Sequence, residues 1–159
     1  MTRLRWLLLP FVALLLDVLS KAWILAHLAE GQTRPVVKGF FYLSLGYNRG
    51  AIFGSLHSAP EWLRGLLFTS AALVALVYFG RAFLAEATPT LERIALGLIL
   101  GGSMGNALDR LRHGAVVDFL DFVFGGWHYW TFNLADSFIV VGALLYGFHL
   151  LRHRDPIET

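Results

Sequence analysis

Cysteine is absent from the 159 residues. That excludes a disulfide framework, a Cys-ligated iron–sulfur centre and a thiol nucleophile. Charge is also scarce: Asp, Glu, Lys and Arg make up 15% of the chain against 57% hydrophobic residues, and the mean hydropathy is +0.61. This balance is too apolar for a soluble domain, so the bilayer is the expected solvent. A net charge of +2 is too small to mark a nucleic-acid partner. The basic residues gather at the ends of apolar runs instead of forming a stripe, which is the habit of membrane-flanking charge.

What the chain has in quantity is long apolar runs. Four are expected to span the membrane, at about 6–25, 62–80, 91–108 and 132–151. Spans of roughly 20 residues each leave only short loops, so a single integral membrane domain over 1–159 is expected. The first run follows Arg3 and Arg5. The pattern suits a secretory signal peptide, a signal anchor or a retained first span; no Ala-x-Ala site ends it and further apolar runs follow, which favours retention. Four spans place both termini on one side, and the local Arg pairs assign that side to the cytoplasm. The other two loops then face outward. Val36 to Leu45 is rich in β-branched and aromatic residues, and Gly125-Gly126 separates two apolar-aromatic stretches as a hairpin would. The fold class expected is an all-α membrane bundle of four transmembrane helices with a small extracytoplasmic β-sheet. Trp127, Tyr129 and Trp130 stand where an aromatic belt belongs.

The third run carries Gly97, Gly101 and Gly105 at four-residue spacing, with Gly102 and Asn106 on the adjoining row. One helix face is nearly bare of side chains, and a packing seam is expected there. Asn106, at the end of the seam, offers an amide donor and acceptor to whatever lies beside it.

Ionisable residues inside spans cost roughly 2.5–3.5 kcal/mol on insertion scales and call for partners. Asp17 and Lys21 lie four residues apart in the favourable order for an ion pair. They are expected to neutralise each other near the outer interface, with Lys21 snorkelling outward. Asp136 falls a turn or two inside the start of the fourth run. Asp118 follows the third run on the same side of the membrane, within Val116-Val117-Asp118-Phe119. Two carboxylates sharing one site suit peptide hydrolysis: the ionised one takes a proton from water, and the protonated one donates to the carbonyl oxygen. Spacing alone leaves the pair open, because Asp109 and Asp121 are close by in sequence. For these two, salt bridges to Arg110 or Arg112 are the simpler expectation. His113 and His128 with Asp118 or Asp121 form an alternative, metal-binding set. Ser137 has no Lys or His at a diagnostic spacing and is expected to hydrogen-bond within the helix start.

Taken together, Asp17-x-x-x-Lys21, Tyr47-Asn48-Arg49-Gly50-Ala51-Ile52-Phe53, Gly101-Gly102-x-x-Gly105-Asn106-x-x-Asp109-Arg110, Val116-Val117-Asp118-Phe119 and Phe132-Asn133-x-Ala135-Asp136-Ser137 resemble, in order, the motif blocks of the lipoprotein signal peptidases, or signal peptidase II. The likeness runs from Asp17 to Ser137. It departs from the family at Val18, where Gln is usual, and at Ile52, where a small residue is common. The resemblance implies a metal- and cofactor-independent aspartic endopeptidase of the bacterial inner membrane. Its substrates would be diacylglyceryl-modified prolipoproteins held in membrane lipid; the chain itself is expected to work as a monomer. The same resemblance implies Asp118 and Asp136 as the catalytic pair. It implies Asn48, Gly50, Asn106, Arg110, Asn133 and Ala135 as lining or bracing the site, and Asp17 and Lys21 as structural or substrate-positioning. A mobile extracytoplasmic segment is a further family feature. Two other classes stay open on the residues alone: a small transporter that uses the acids as an ion path, and a non-catalytic membrane scaffold.

Overall fold

The computed structural model describes residues 3–49, 60–85 and 87–152. Gly50, Ala51, Ile52, Phe53, His57, Glu86, His153 and Arg154 lie outside the described residues.

A short helix α1 (Arg3–Trp6) leads into α2 (Leu8–His27), and α3 (Glu61–Leu84), α4 (Thr90–His113) and α5 (Leu134–Arg152) follow. Pro10 sits in the first turn of α2, where its missing N–H has no carbonyl partner to lose. Helix α3 stops at Ala85, and its last carbonyls are taken up by the Thr88 hydroxyl, which donates to Ala82 O at 2.6 Å and Ala85 O at 3.1 Å. Helix α4 ends on Gly114 in the left-handed region, φ 68°, whose N–H donates to Arg110 O. Arg110, Arg112 and His113 fill its last turn, where positive charge meets the negative end of the helix dipole.

Helix α4 is the centre of the bundle and packs against α2, α3 and α5. The glycine seam makes this possible. A Cβ on Gly101 would meet Ala13 Cβ at 2.6 Å and the Pro10 carbonyl at 2.7 Å, and one on Gly105 would run into the Asp17 carboxylate. On the adjoining row, a Cβ on Gly102 would collide with the Ala135 carbonyl of α5. The expected seam is therefore present and is shared between two neighbours.

Helices α2 and α5 are long and apolar enough to cross a bilayer. Both expose large apolar side chains, Phe11, Leu15 and Leu19 from α2 and Val140, Leu144 and Phe148 from α5. In water such a surface would drive association, whereas in lipid it is simply solvated.

Strands β1 (Thr33–Val37), β2 (Phe41–Asn48), β3 (Val116–Phe124) and β4 (Trp127–His128) form one antiparallel sheet in that order. The 36–45 stretch read as strand-like is two strands, because Lys38-Gly39-Phe40 turns the chain and sets Val37 opposite Phe41. Gly125 and Gly126, φ 59° and 85°, make the expected tight turn and pair Phe124 with Trp127. Two positive φ values in a two-residue loop are the geometry that glycine allows at least cost. The sheet rests on the end of α2 through Ile24 and Leu28, packed with Leu45, Val117 and Phe119. A bulge in β2 shifts the register between Leu43 and Gly46, so that Gly46 faces Asp118 and Asn48 faces Val116.

Candidate active site

The site is built where the sheet, the C-terminal half of α4 and the first turn of α5 meet. Strand β3 supplies Asp118, which is 4% exposed. Helix α5 supplies Asp136 from its first turn, nearer the helix start than the apolar run suggested. The reason is a reciprocal cap. The Asp136 N–H donates to Asn133 Oδ1 at 2.9 Å, and the Asn133 N–H donates back to Asp136 Oδ2 at 3.3 Å. Such a pair satisfies helix-end donors that would otherwise be orphaned. The Asn133-x-x-Asp136 spacing carries the signal for this cap. The Ser137 hydroxyl donates to Asn133 O at 3.0 Å, as its place at the helix start predicts.

Asn133 also joins the two acids. Its Nδ2 donates to Asp118 Oδ1 at 2.7 Å and to Asn106 Oδ1 at 3.2 Å. Asn106 Nδ2 in turn donates to Asp136 Oδ1 at 2.7 Å. The Asn48 side chain hydrogen-bonds to Asp118 from β2, and the Arg110 guanidinium lies within electrostatic range of Asp136, Asp118 and Asp109. Burial pushes the Asp118 carboxyl up to about 7, and the Asp136 charge pushes it the same way. Hydrogen bonds from Asn48 and Asn133 and the charge of Lys21 pull against them. A carboxyl tuned to that range can hold a proton at neutral pH beside an ionised partner.

Beneath this pair lies a second layer. Lys21 is buried, 2% exposed, and does not snorkel outward as its position near a helix end suggested. Its ammonium pairs with Asp17 Oδ2 at 2.8 Å and Asp109 Oδ2 at 2.7 Å and donates to Asn106 Oδ1 at 3.1 Å. Three acceptors satisfy all three ammonium protons, which removes the need to reach water. Asp17 Oδ1 accepts the Ala135 N–H at 2.9 Å, which completes the capping of α5. The two acids expected to bridge to Arg110 or Arg112 take other partners: Asp109 pairs with Lys21, and Asp121 with His128 at 3.0 Å. Asp109, whose role the sequence left open, belongs to the network through a partner that spacing does not reveal, since nothing local links it to a lysine 88 positions away.

Asp136 and Ser137 reach a cleft of about 400 Å³ whose other lining residues are Tyr129, Trp130, Phe132, Val140 and Val141. Its walls are almost wholly apolar and run from the aromatic edge of the sheet to the exposed face of α5. Of the residues read as site candidates, Asp136 alone lines the cleft, Asp17, Lys21, Asn48, Asn106, Arg110, Asp118, Asn133 and Ala135 belong to the network joined to it, and Gly50 lies outside the described residues.

A family model described as Signal peptidase (SPase) II matches residues 9–152. The lipoprotein signal peptidase of Serratia proteamaculans (strain 568) is 45% identical over 144 residues, covering 91% of this chain and 85% of that protein. The lipoprotein signal peptidase of Yersinia pseudotuberculosis serotype O:1b (strain IP 31758) is 42% identical over the same length and coverage. Among solved structures, one described as "Bacterial membrane enzyme structure by the in meso method at 1.9 A resolution" is similar with a TM-score of 0.77 at 29% identity, covering 94% of each chain. Another, of the same description at 2.3 Å, has a TM-score of 0.81 at 24% identity, covers 98% of this chain and 94% of that one, and shows a shared fold.

Proposed function

The chain belongs to the signal peptidase II family of membrane aspartic proteases, and from that premise we propose that it removes signal peptides from diacylglyceryl-modified prolipoproteins with Asp118 and Asp136 as its catalytic pair. The observation that carries the reading is a single amide, Asn133, bonded to both carboxyl-bearing residues at the edge of an apolar cleft.

In this mechanism Asp136, held by Asn106 Nδ2 and the Asn133 N–H, is ionised and takes a proton from a water molecule. Asp118 is protonated and donates to the scissile carbonyl oxygen as the water attacks. The tetrahedral intermediate then collapses: the proton on Asp136 passes to the leaving amine, and Asp118 recovers its proton from the intermediate's hydroxyl. Each turnover returns both acids to their starting states. Because the two acids interact, the pH–rate profile is a bell whose limbs belong to the pair.

The architecture supporting this is one integral membrane domain with four spans in the bacterial inner membrane, working as a monomer. Both termini are cytoplasmic, and the sheet lies on the outer face. The substrate's acyl chains stay in the bilayer or move from lipid to protein, a transfer that contributes almost nothing, since methylenes gain about 0.8 kcal/mol each only when they leave water. Recognition therefore falls to shape and to polar contacts at headgroup depth. Asn48 and Asn133 direct donors at Asp118, which gives them the task of orienting the acid. Arg110 is the candidate for the headgroup.

The test is cleavage of a lipid-modified prolipoprotein in detergent by wild type, Asp118→Asn and Asp136→Asn, with a chelator added to a parallel wild-type sample. Loss of cleavage in both variants with full activity under chelator is the expected result. Cleavage by either variant, or loss on chelation alone, would defeat the dyad.

A further inference from the structure

Two backbone amides of this site are held in the same way. The Val117 N–H donates to Asp109 Oδ2 at 3.1 Å, and the Ala135 N–H donates to Asp17 Oδ1 at 2.9 Å. Val117 immediately precedes Asp118, and Ala135 immediately precedes Asp136. The two accepting carboxylates are then tied to one another, because both bind the Lys21 ammonium, at 2.7 and 2.8 Å.

We propose that Asp17, Lys21 and Asp109 form a positioning bracket that sets the separation of the two catalytic aspartates, with Asp109 as the arm that holds Asp118. The proposal rests on the dyad reading above. Its physical basis is that β3 and α5 are separate elements joined through the β3–β4 hairpin and the segment after it. The relative placement of their two acids therefore depends on cross-links nearer the site. Asn133 supplies one link on the side-chain level. The bracket supplies another at the backbone, anchored in α2 and α4, which the glycine seam holds in close contact. Asp17, Lys21 and Asp109 are 0%, 2% and 7% exposed. Charge-assisted hydrogen bonds in such surroundings are short and strongly directional, as suits a spacer.

A general role in folding makes a different demand. It would be met by the ion pairs and by the capping of α5 at Ala135, and gives no reason for Asp109 to grip the Val117 amide next to a catalytic residue. The two roles also differ in kinetics. A displaced catalytic group slows the chemical step while leaving substrate affinity in place, whereas partial unfolding removes active molecules and leaves the KM of the remainder unchanged with kcat tracking the folded fraction.

The experiment uses the full chain purified in detergent and a lipid-modified prolipoprotein peptide, with kcat and KM measured per folded molecule as counted by helical circular dichroism and thermal melting. For Asp109→Ala the expected result is a kcat reduced on the order of 100-fold with KM within about twofold of wild type. For Asp109→Asn, whose amide oxygen still accepts the Val117 N–H but whose link to Lys21 is neutral, a loss of about tenfold is expected. A kcat per folded molecule within about twofold of wild type in Asp109→Ala overturns the proposal, as does an Asp109→Asn no better than Asp109→Ala. Should Asp109→Ala fail to fold, Asp109→Asn decides alone: wild-type kcat overturns the bracket, and a tenfold loss at constant KM sustains it. Asp118→Asn and Asp136→Asn are run beside them. Cleavage by either one sinks the dyad reading itself, whereas two inactive dyad variants with a fully active Asp109→Ala sink only the bracket.

Discussion

Asp118 is a carboxylic acid that is buried beside a second carboxylate, and burial acts on its stability as well as its chemistry. Its carboxyl, pushed up to about 7 from an ordinary value of 3.8, binds its proton more tightly in the folded protein than in the unfolded chain. The stability this contributes is fully present below about pH 4 and is lost as pH rises through about 7. Asp118→Asn removes the titration while keeping an oxygen to accept from Asn133. The variant is therefore expected to be inactive and yet to melt higher than wild type at pH 8, by on the order of 5 °C, with the difference closing by pH 4. Melting curves across that range check the sign, and an Asp118→Asn variant that melts no higher than wild type at pH 8 would remove the burial argument. Asn133 is the opposite case. Asn133→Ala takes away the acceptor for the Asp136 N–H and the donor to Asp118 together. A loss of about 1–3 kcal/mol of stability and at least 100-fold in kcat is expected, readable by melting and turnover. At this scale the sequence was informative about residue type and poor about partners. Asp118, Asp136 and Asn133 were identifiable from their motif blocks. The pairing of Lys21 with Asp109 was not, since a lysine four residues from an acid and near a helix end gives no hint that it turns inward across to another helix.

Helix α4 is the element on which the site depends, and its glycines differ in what they tolerate. At Gly97 an added methyl would meet the tip of Leu9, with Cδ2 at 2.8 Å, and a flexible side chain can swing aside. At Gly102 it would meet the Ala135 carbonyl, which is backbone in the first turn of α5. At Gly105 it would meet the Asp17 carboxylate, which is already committed to Lys21 and Ala135. Gly97→Ala is thus expected to retain most activity, while Gly102→Ala and Gly105→Ala lose on the order of 1–3 kcal/mol of stability and most of their turnover. Thermal melting and kcat of the three variants, measured side by side, test the ranking; equal effects at all three positions would contradict it. The spacing of the glycines marked the seam in advance. Which neighbour lies against each row was beyond it, because spacing defines a bare face without saying what covers it.

For the whole molecule, the absence of cysteine becomes an experimental convenience, since a single introduced thiol is the only one present. If the sheet lies outside and the α3–α4 turn inside, Glu30→Cys is labelled by a membrane-impermeant maleimide in intact cells, and Ala87→Cys only after permeabilisation. The reverse pattern would invert the proposed orientation. Composition and residue spacing by themselves determined the apolar solvent, the tight turn at Gly125-Gly126 and the glycine face of α4. Each of these is a local property of chain chemistry, decided by burial preference, conformational freedom or spacing along one element. Only the tertiary structure decided that the stretch at 36–45 folds back on itself, that a bulge in β2 brings Gly46 opposite Asp118, and that Lys21 is buried between Asp17 and Asp109. The physical reason is that a buried charge takes its partner from whichever element packs beside it, and packing is settled by the bundle as a whole.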